Sequence, residues 1–170
     1  MTKITPAHIH ARARSSVGHF FEYLYPLLHP KRPIDADWYI HAMSEAIMSL
    51  SRGETNRLII NAPPRSSKTN LCTIFNIGFI LGKDPSAEIM LLTYGEELTR
   101  VLANNVHHLM RHPAYMRLFP HTRCVGVASM TSTFLPLTHK NIIPRRIPCI
   151  RIRAVQGQCI SLIIKLTSVT

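Results

Sequence analysis

Lys68 and Thr69 are the residues whose types and spacing best suit chemistry. They follow a tight run, Pro63-Pro64-Arg65-Ser66-Ser67, and open an apolar stretch that reaches Leu81. A lysine beside a hydroxyl residue at a helix start suits a polyphosphate. Backbone N–H groups at the helix N-terminus attract phosphate oxygens, the ammonium reaches the terminal phosphates, and the hydroxyl can sit on a Mg²⁺ held between them. The expected ligands are therefore a nucleotide's phosphates and Mg²⁺. Pro63, Pro64, Arg65, Ser66, Ser67, Lys68 and Thr69 form the cradle, and Thr69 is the metal contact through the nucleotide. Trp38 and His41, upstream, either pack against the core or contact the nucleotide base.

The elements that must position these residues are a strand before the turn and a helix after it. Leu58-Ile59-Ile60 reads as a short buried strand, and the run from Leu71 to Leu81 is long enough for a buried helix. Strand, phosphate-sized turn, Lys-Thr and helix make the layout of a P-loop. Laid on G-x-x-x-x-G-K-[ST], Ala62 stands at the first Gly and Ser67 at the second. The second Gly normally supplies a positive φ. A residue with a side chain there costs about 1–2 kcal/mol, so nucleotide binding is expected to be weakened. The plainer alternative is an ordinary strand–loop–helix with a chance Lys-Thr.

Around this unit the chain divides into readable pieces. Residues 1–14 are basic and unpatterned, and are expected to form a frayed arm. A first helix should start at Ser15 or Ser16, bury Phe20, Leu24 and Leu27, and stop or kink near Tyr25 because Pro26 follows. A second, capped by Asp35 or Asp37, carries Ile40, Met43, Ile47 and Leu50 at helical spacing and ends at Gly53. Glu88 to Thr93 reads as a second strand. Glu96-Glu97 open a third helix, with acids at the positive end of its dipole. Its buried stripe is Leu98, Val101, Leu102, Val106 and Leu109, and Arg111-His112-Pro113 closes it. Strand–helix–strand–helix predicts an α/β fold, a parallel sheet flanked by helices.

Charge splits the chain in two. Of 170 residues and a net charge of +11, residues 1–97 hold ten Lys/Arg and nine Asp/Glu, whereas 98–170 hold ten Lys/Arg and no acid. No carboxylate follows Glu97, so no downstream acid can hold a metal or position an attacking water. The longest near-apolar segment, Leu71–Leu81, is too short to span a bilayer. The N-terminus has no apolar signal core. The four cysteines form no C-x-x-C pair and read as reduced cytosolic thiols. His108, His112, His121 and Cys124 could supply four zinc ligands, though their spacing is loose; solvent-facing histidines at a helix end are the plainer account.

The helix from Trp38, then RGETNRLIINAPPRSSKT, then EIMLLTYGEELTR, then the close from Pro113 to Pro120, together resemble the N-terminal ATPase part of the large subunit of tailed-phage DNA-packaging terminases. The resemblance covers residues 20–120. It implies an incomplete P-loop NTPase domain over 15–120, with Lys68 on the β/γ-phosphates, Thr69 on Mg²⁺, Arg65 near the phosphates, and Trp38 to His41 on the adenine side. It also implies a phage or prophage motor that hydrolyses ATP to move double-stranded DNA, with a terminase small subunit and a portal protein as partners, in the bacterial host cytoplasm and without a membrane. Ser67 departs from the family's usual Gly. The family's Walker B acids and nuclease carboxylates have no counterpart here, which implies a truncated, inactive form.

Residues 121–170 are a poorly patterned, acid-free basic tail with three readings. It could be an out-of-frame end. It could be a DNA-phosphate-binding segment using Lys140, Arg145, Arg146, Arg151, Arg153 and Lys165. It could be a strand-rich subdomain that pairs with the sheet. The rival to the terminase reading is a non-catalytic basic nucleic-acid-binding protein with a vestigial P-loop; a helicase-like ATPase fits the second strand and the Leu-Phe-Pro close less well.

Overall fold

The computed structural model describes residues 5–31, 38–63, 66–85, 87–93, 95–122, 149–153 and 159–165. The N-terminal arm is helical where the sequence suggested fraying. Helix α1 (Pro6–Ser15) starts at a proline, which suits a first-turn position because no N–H is needed there. It buries Ala13. Helix α2 (Val17–Leu28) is capped by Ser16, whose Oγ accepts from the His19 N–H at 3.3 Å. The helix runs through Pro26 instead of stopping at Tyr25. Pro26 lies in the last turn, and the His29 N–H still donates to the Tyr25 carbonyl at 2.8 Å, closing the end.

Helix α3 (Trp38–Ser51) buries Ile40, Met43, Ile47 and Leu50, the spacing seen in the sequence. Its suggested caps, Asp35 and Asp37, lie outside the described residues. Gly53, at φ 75°, ends the turn that follows. The Gly18 N–H, in the first turn of α2, donates to Ser44 Oγ of α3 at 2.8 Å. A Cβ on Gly18 would lie 2.7 Å from that oxygen, so only glycine allows the bond.

Strand β1 (Arg57–Asn61) leads into the loop. A wide π-helical turn (Asn70–Phe75) then continues into α4 (Asn76–Lys83). Strand β2 (Glu88–Leu92), α5 (Glu96–Arg111) and α6 (Pro113–Leu118) follow. Helix α5 buries Leu102, Val106, Leu109 and Met110. Val101, expected in that stripe, is instead 49% exposed. It sits a quarter turn from Leu102, beyond the edge of the covered face.

Aromatic rings knit the helices together. Phe20 of α2 lies 5.6–6.0 Å, centroid to centroid, from Phe75, Phe79, Tyr115 and Phe119. The Tyr115 hydroxyl donates to the Gly78 carbonyl at 2.8 Å, tying α6 to α4. These edge-on and tilted pairings are the geometries that aromatic quadrupoles favour.

The expected parallel-sheet P-loop domain is not what forms. Among the described residues helix predominates over strand, and β1 and β2 are not paired with each other. Strands β3 (Cys149–Arg153) and β4 (Cys159–Lys165) lie between them, in the order β1-β3-β4-β2. Only β1–β3 is parallel; β3–β4 and β4–β2 are antiparallel. The reason is the length of the connection. Residues 154–158 alone separate β3 from β4, whereas a parallel crossover needs about a dozen residues or more. The rest of the tail, with Lys140, Arg145 and Arg146, lies outside the described residues. Among the described residues no helix is long and apolar enough to cross a membrane.

Candidate functional site

β1 delivers the chain to the loop at Asn61, and the helix beyond it is anchored by Leu71, Cys72 and Phe75, all essentially buried. The loop is thus fixed at both ends by core packing. Pro64 and Arg65 lie outside the described residues. Ser67, at the second glycine position, has a positive φ of 54°. The Leu71 N–H donates to the Ser67 carbonyl at 2.9 Å, so the first helical bonds start from that residue. A left-handed residue followed by a helical one turns successive N–H groups toward one concavity, a form of anion-binding nest.

Lys68 is only 8% exposed. Its Nζ donates to the carbonyl of Ala62 at 2.7 Å and to that of Pro63 at 3.2 Å, folding the side chain back across the loop. Among the described ion pairs none involves Lys68. A buried ammonium whose described partners are neutral carbonyls is under-compensated, and an anion would complete it. Thr69 follows at the half-buried start of the helix. This donor set would suit the phosphate end of ATP, where Lys68 would hold the terminal phosphates and Thr69 the Mg²⁺. Bound there, the nucleotide would supply a transferable phosphoryl group.

Three polar side chains in this region are buried: Ser66, which the sequence placed in the cradle, and Thr73 and Asn76, which it did not single out. Ser66 is 7% exposed, and its Oγ is buried without a hydrogen-bond partner. Thr73 Oγ1 and both amide atoms of Asn76 are in the same condition. The signal was present, since Thr73 and Asn76 interrupt the apolar run at a spacing of three. They flank the end of the π-helical turn, where the Asn76 N–H donates to the carbonyls of Leu71 and Thr73. Burial pushes the Cys72 thiol up to about 12, against the opposing pull of the Lys68 charge.

The suggested base-side residues, Trp38 and His41, both lie on α3. His41 Nε2 pairs with Glu22 Oε1 of α2 at 3.2 Å, and Arg12 of α1 approaches the other Glu22 oxygen at 3.9 Å. His41 therefore links helices. Trp38 is 77% exposed.

The zinc grouping does not assemble. Among the described residues no cluster of three His, Cys, Asp or Glu could hold a metal ion. His112 instead caps α6, its Nδ1 accepting from the Ala114 N–H at 3.2 Å. Cys124 lies outside the described residues. Compared with family models, with curated proteins and with solved structures, the chain has no match.

Proposed function

We propose that the loop from Pro63 to Thr69 binds the phosphates of a nucleoside triphosphate, ATP with Mg²⁺, and that the chain is the nucleotide-binding part of a protein resembling the DNA-packaging terminase large subunit. The observation that carries this is the buried Lys68 ammonium, which among the described residues bonds to carbonyls alone and follows a residue of positive φ at a helix start. On this reading Lys68 orients the β/γ-phosphates and Thr69 the metal. No carboxylate follows Glu97, so binding without appreciable turnover is the proposed activity. Double-stranded DNA, a terminase small subunit and a portal protein are the proposed partners, and the bacterial host cytoplasm the proposed location. The test is titration with a fluorescent ATP analogue with and without Mg²⁺. Binding should be lost in Lys68→Ala. Phosphate release by the purified chain that disappears in Lys68→Ala would refute binding without turnover.

One observation favours a second reading, nucleic-acid binding by the basic tail. The basic and apolar residues of Cys149–Arg153 alternate, and alternation in a strand separates residues onto two faces. The register sets Arg151 beside Ile59, which is 58% exposed, and Arg153 beside Asn61. Salt-dependent DNA binding that is weakened by Arg151→Glu with Arg153→Glu, and unaffected by ATP, would favour this reading.

A further inference from the structure

We infer that Ser66 is a second side-chain ligand for the phosphates, engaged only when an anion draws Lys68 off the loop carbonyls. The inference rests on the phosphate-binding reading above and adds to it both a residue and an order of events.

Three observations carry it. Ser66 lies on the loop that enters the helix, two residues before Lys68. Its hydroxyl is sealed from solvent and has no hydrogen-bond partner. Across the same loop, Lys68 Nζ is bonded to the Ala62 and Pro63 carbonyls, six and five residues back. A buried hydroxyl without a partner is unfavourable, and native proteins retain few of them. Among the described residues one donor is therefore unused and one cation is bonded to neutral acceptors. A phosphate relieves both at once. It accepts from the ammonium, which leaves the carbonyls, and it accepts from the Ser66 O–H. Both changes need the two side chains to move, because each residue is less than a tenth exposed as it stands. No covalent step is involved.

A bystander hydroxyl behaves differently from a ligand in two measurements. Removing an unpartnered hydroxyl costs the ligand-free chain nothing, so Ser66→Ala should have an unfolding midpoint equal to or above that of the parent. A hydrogen bond to a charged group corresponds to about a tenfold or greater change in affinity, so the same variant should bind ATP about tenfold more weakly. Ser66→Thr keeps the hydroxyl and should bind close to the parent.

The experiment measures the urea midpoint and the affinity for ATP, ADP and adenosine, each with Mg²⁺, for the parent, Ser66→Ala, Ser66→Thr and Lys68→Ala. Weaker ATP binding by Ser66→Ala at an undiminished midpoint, restored by threonine, supports the inference. If Lys68→Ala abolishes binding while Ser66→Ala binds as the parent does, the Ser66 role is overturned and the loop reading stands. A lowered midpoint in Ser66→Ala overturns it as well, since the hydroxyl is then structural. If the parent binds none of the three, or binds adenosine as well as ATP, the phosphate-binding reading falls and the Ser66 role with it.

Discussion

Ser67 gives the sharpest test of whether the loop has the backbone of a phosphate cradle. Its φ of 54° is left-handed, and there an L-residue is disfavoured by about 1–2 kcal/mol. Two substitutions isolate that term. Ser67→Gly and Ser67→Ala both remove the hydroxyl, so its contacts cancel in the comparison. Glycine relieves the strain but gives the unfolded chain more freedom, which offsets about 0.4–1 kcal/mol. The remainder predicts that Ser67→Gly is more stable than Ser67→Ala by about 0.5–1 kcal/mol. For a chain of this size that corresponds to a melting difference of about 1–4 °C. Urea unfolding followed by far-ultraviolet circular dichroism measures the difference directly, with the slope checked for equality between variants. Ser67→Ala equal to or more stable than Ser67→Gly would show that residue 67 is not held left-handed. The concave array of N–H groups would then be lost from the argument as well.

Other outcomes follow from the same structure. With its thiol pushed up to about 12 by burial, Cys72 should resist alkylation at pH 8, where about one part in ten thousand is thiolate; peptide mass mapping should show modification only after urea unfolds the chain. Burial, then His108, then Arg117, hold the His112 imidazole below its ordinary range. It is favoured neutral in the fold, so stability should be full above the unfolded value, about 6.5, and should fall as pH drops through it toward the folded value. His112→Asn, which can cap without titrating, should flatten that part of the pH profile. A Cβ at Gly82 would lie 2.5–2.7 Å from three atoms of the Phe119 ring, which is wedged against Phe20, Phe79 and Tyr115. Gly82→Ala should lose up to about 2 kcal/mol, because overpacking exceeds the gain in helix propensity. At Gly78 the nearest contact is a terminal methyl of Leu109 at 2.7 Å, which can rotate aside, so Gly78→Ala should be near neutral by the same assay.

Local features were legible in the sequence because their causes are local. Helical spacing placed Ile40, Met43, Ile47 and Leu50 on one face of α3, and a β-branched run marked β1. The order of Ser67, Lys68 and Thr69 identified the loop, since a positive φ, an ammonium and a hydroxyl are properties of adjacent residues. The count of carboxylates, none after Glu97, likewise needs no structure.

Tertiary structure decided what depends on residues distant in the chain. The sheet order could not be read, because strand pairing depends on which segments arrive beside β1, and β3 comes from residues whose alternation is only five residues long. Packing of α5 against the π-helical turn, α4 and α6 made Val101 an edge residue and Leu102 a core one. His41 was turned to Glu22 by the way α2 meets α3. The closure of Lys68 onto Ala62 and Pro63, and the sealed hydroxyl of Ser66, follow from core anchors on both sides of the loop. The sequence by itself determined which chemistry the loop could carry; the fold determined that its cation lies over the Ala62 and Pro63 carbonyls, because only three-dimensional packing buries Lys68.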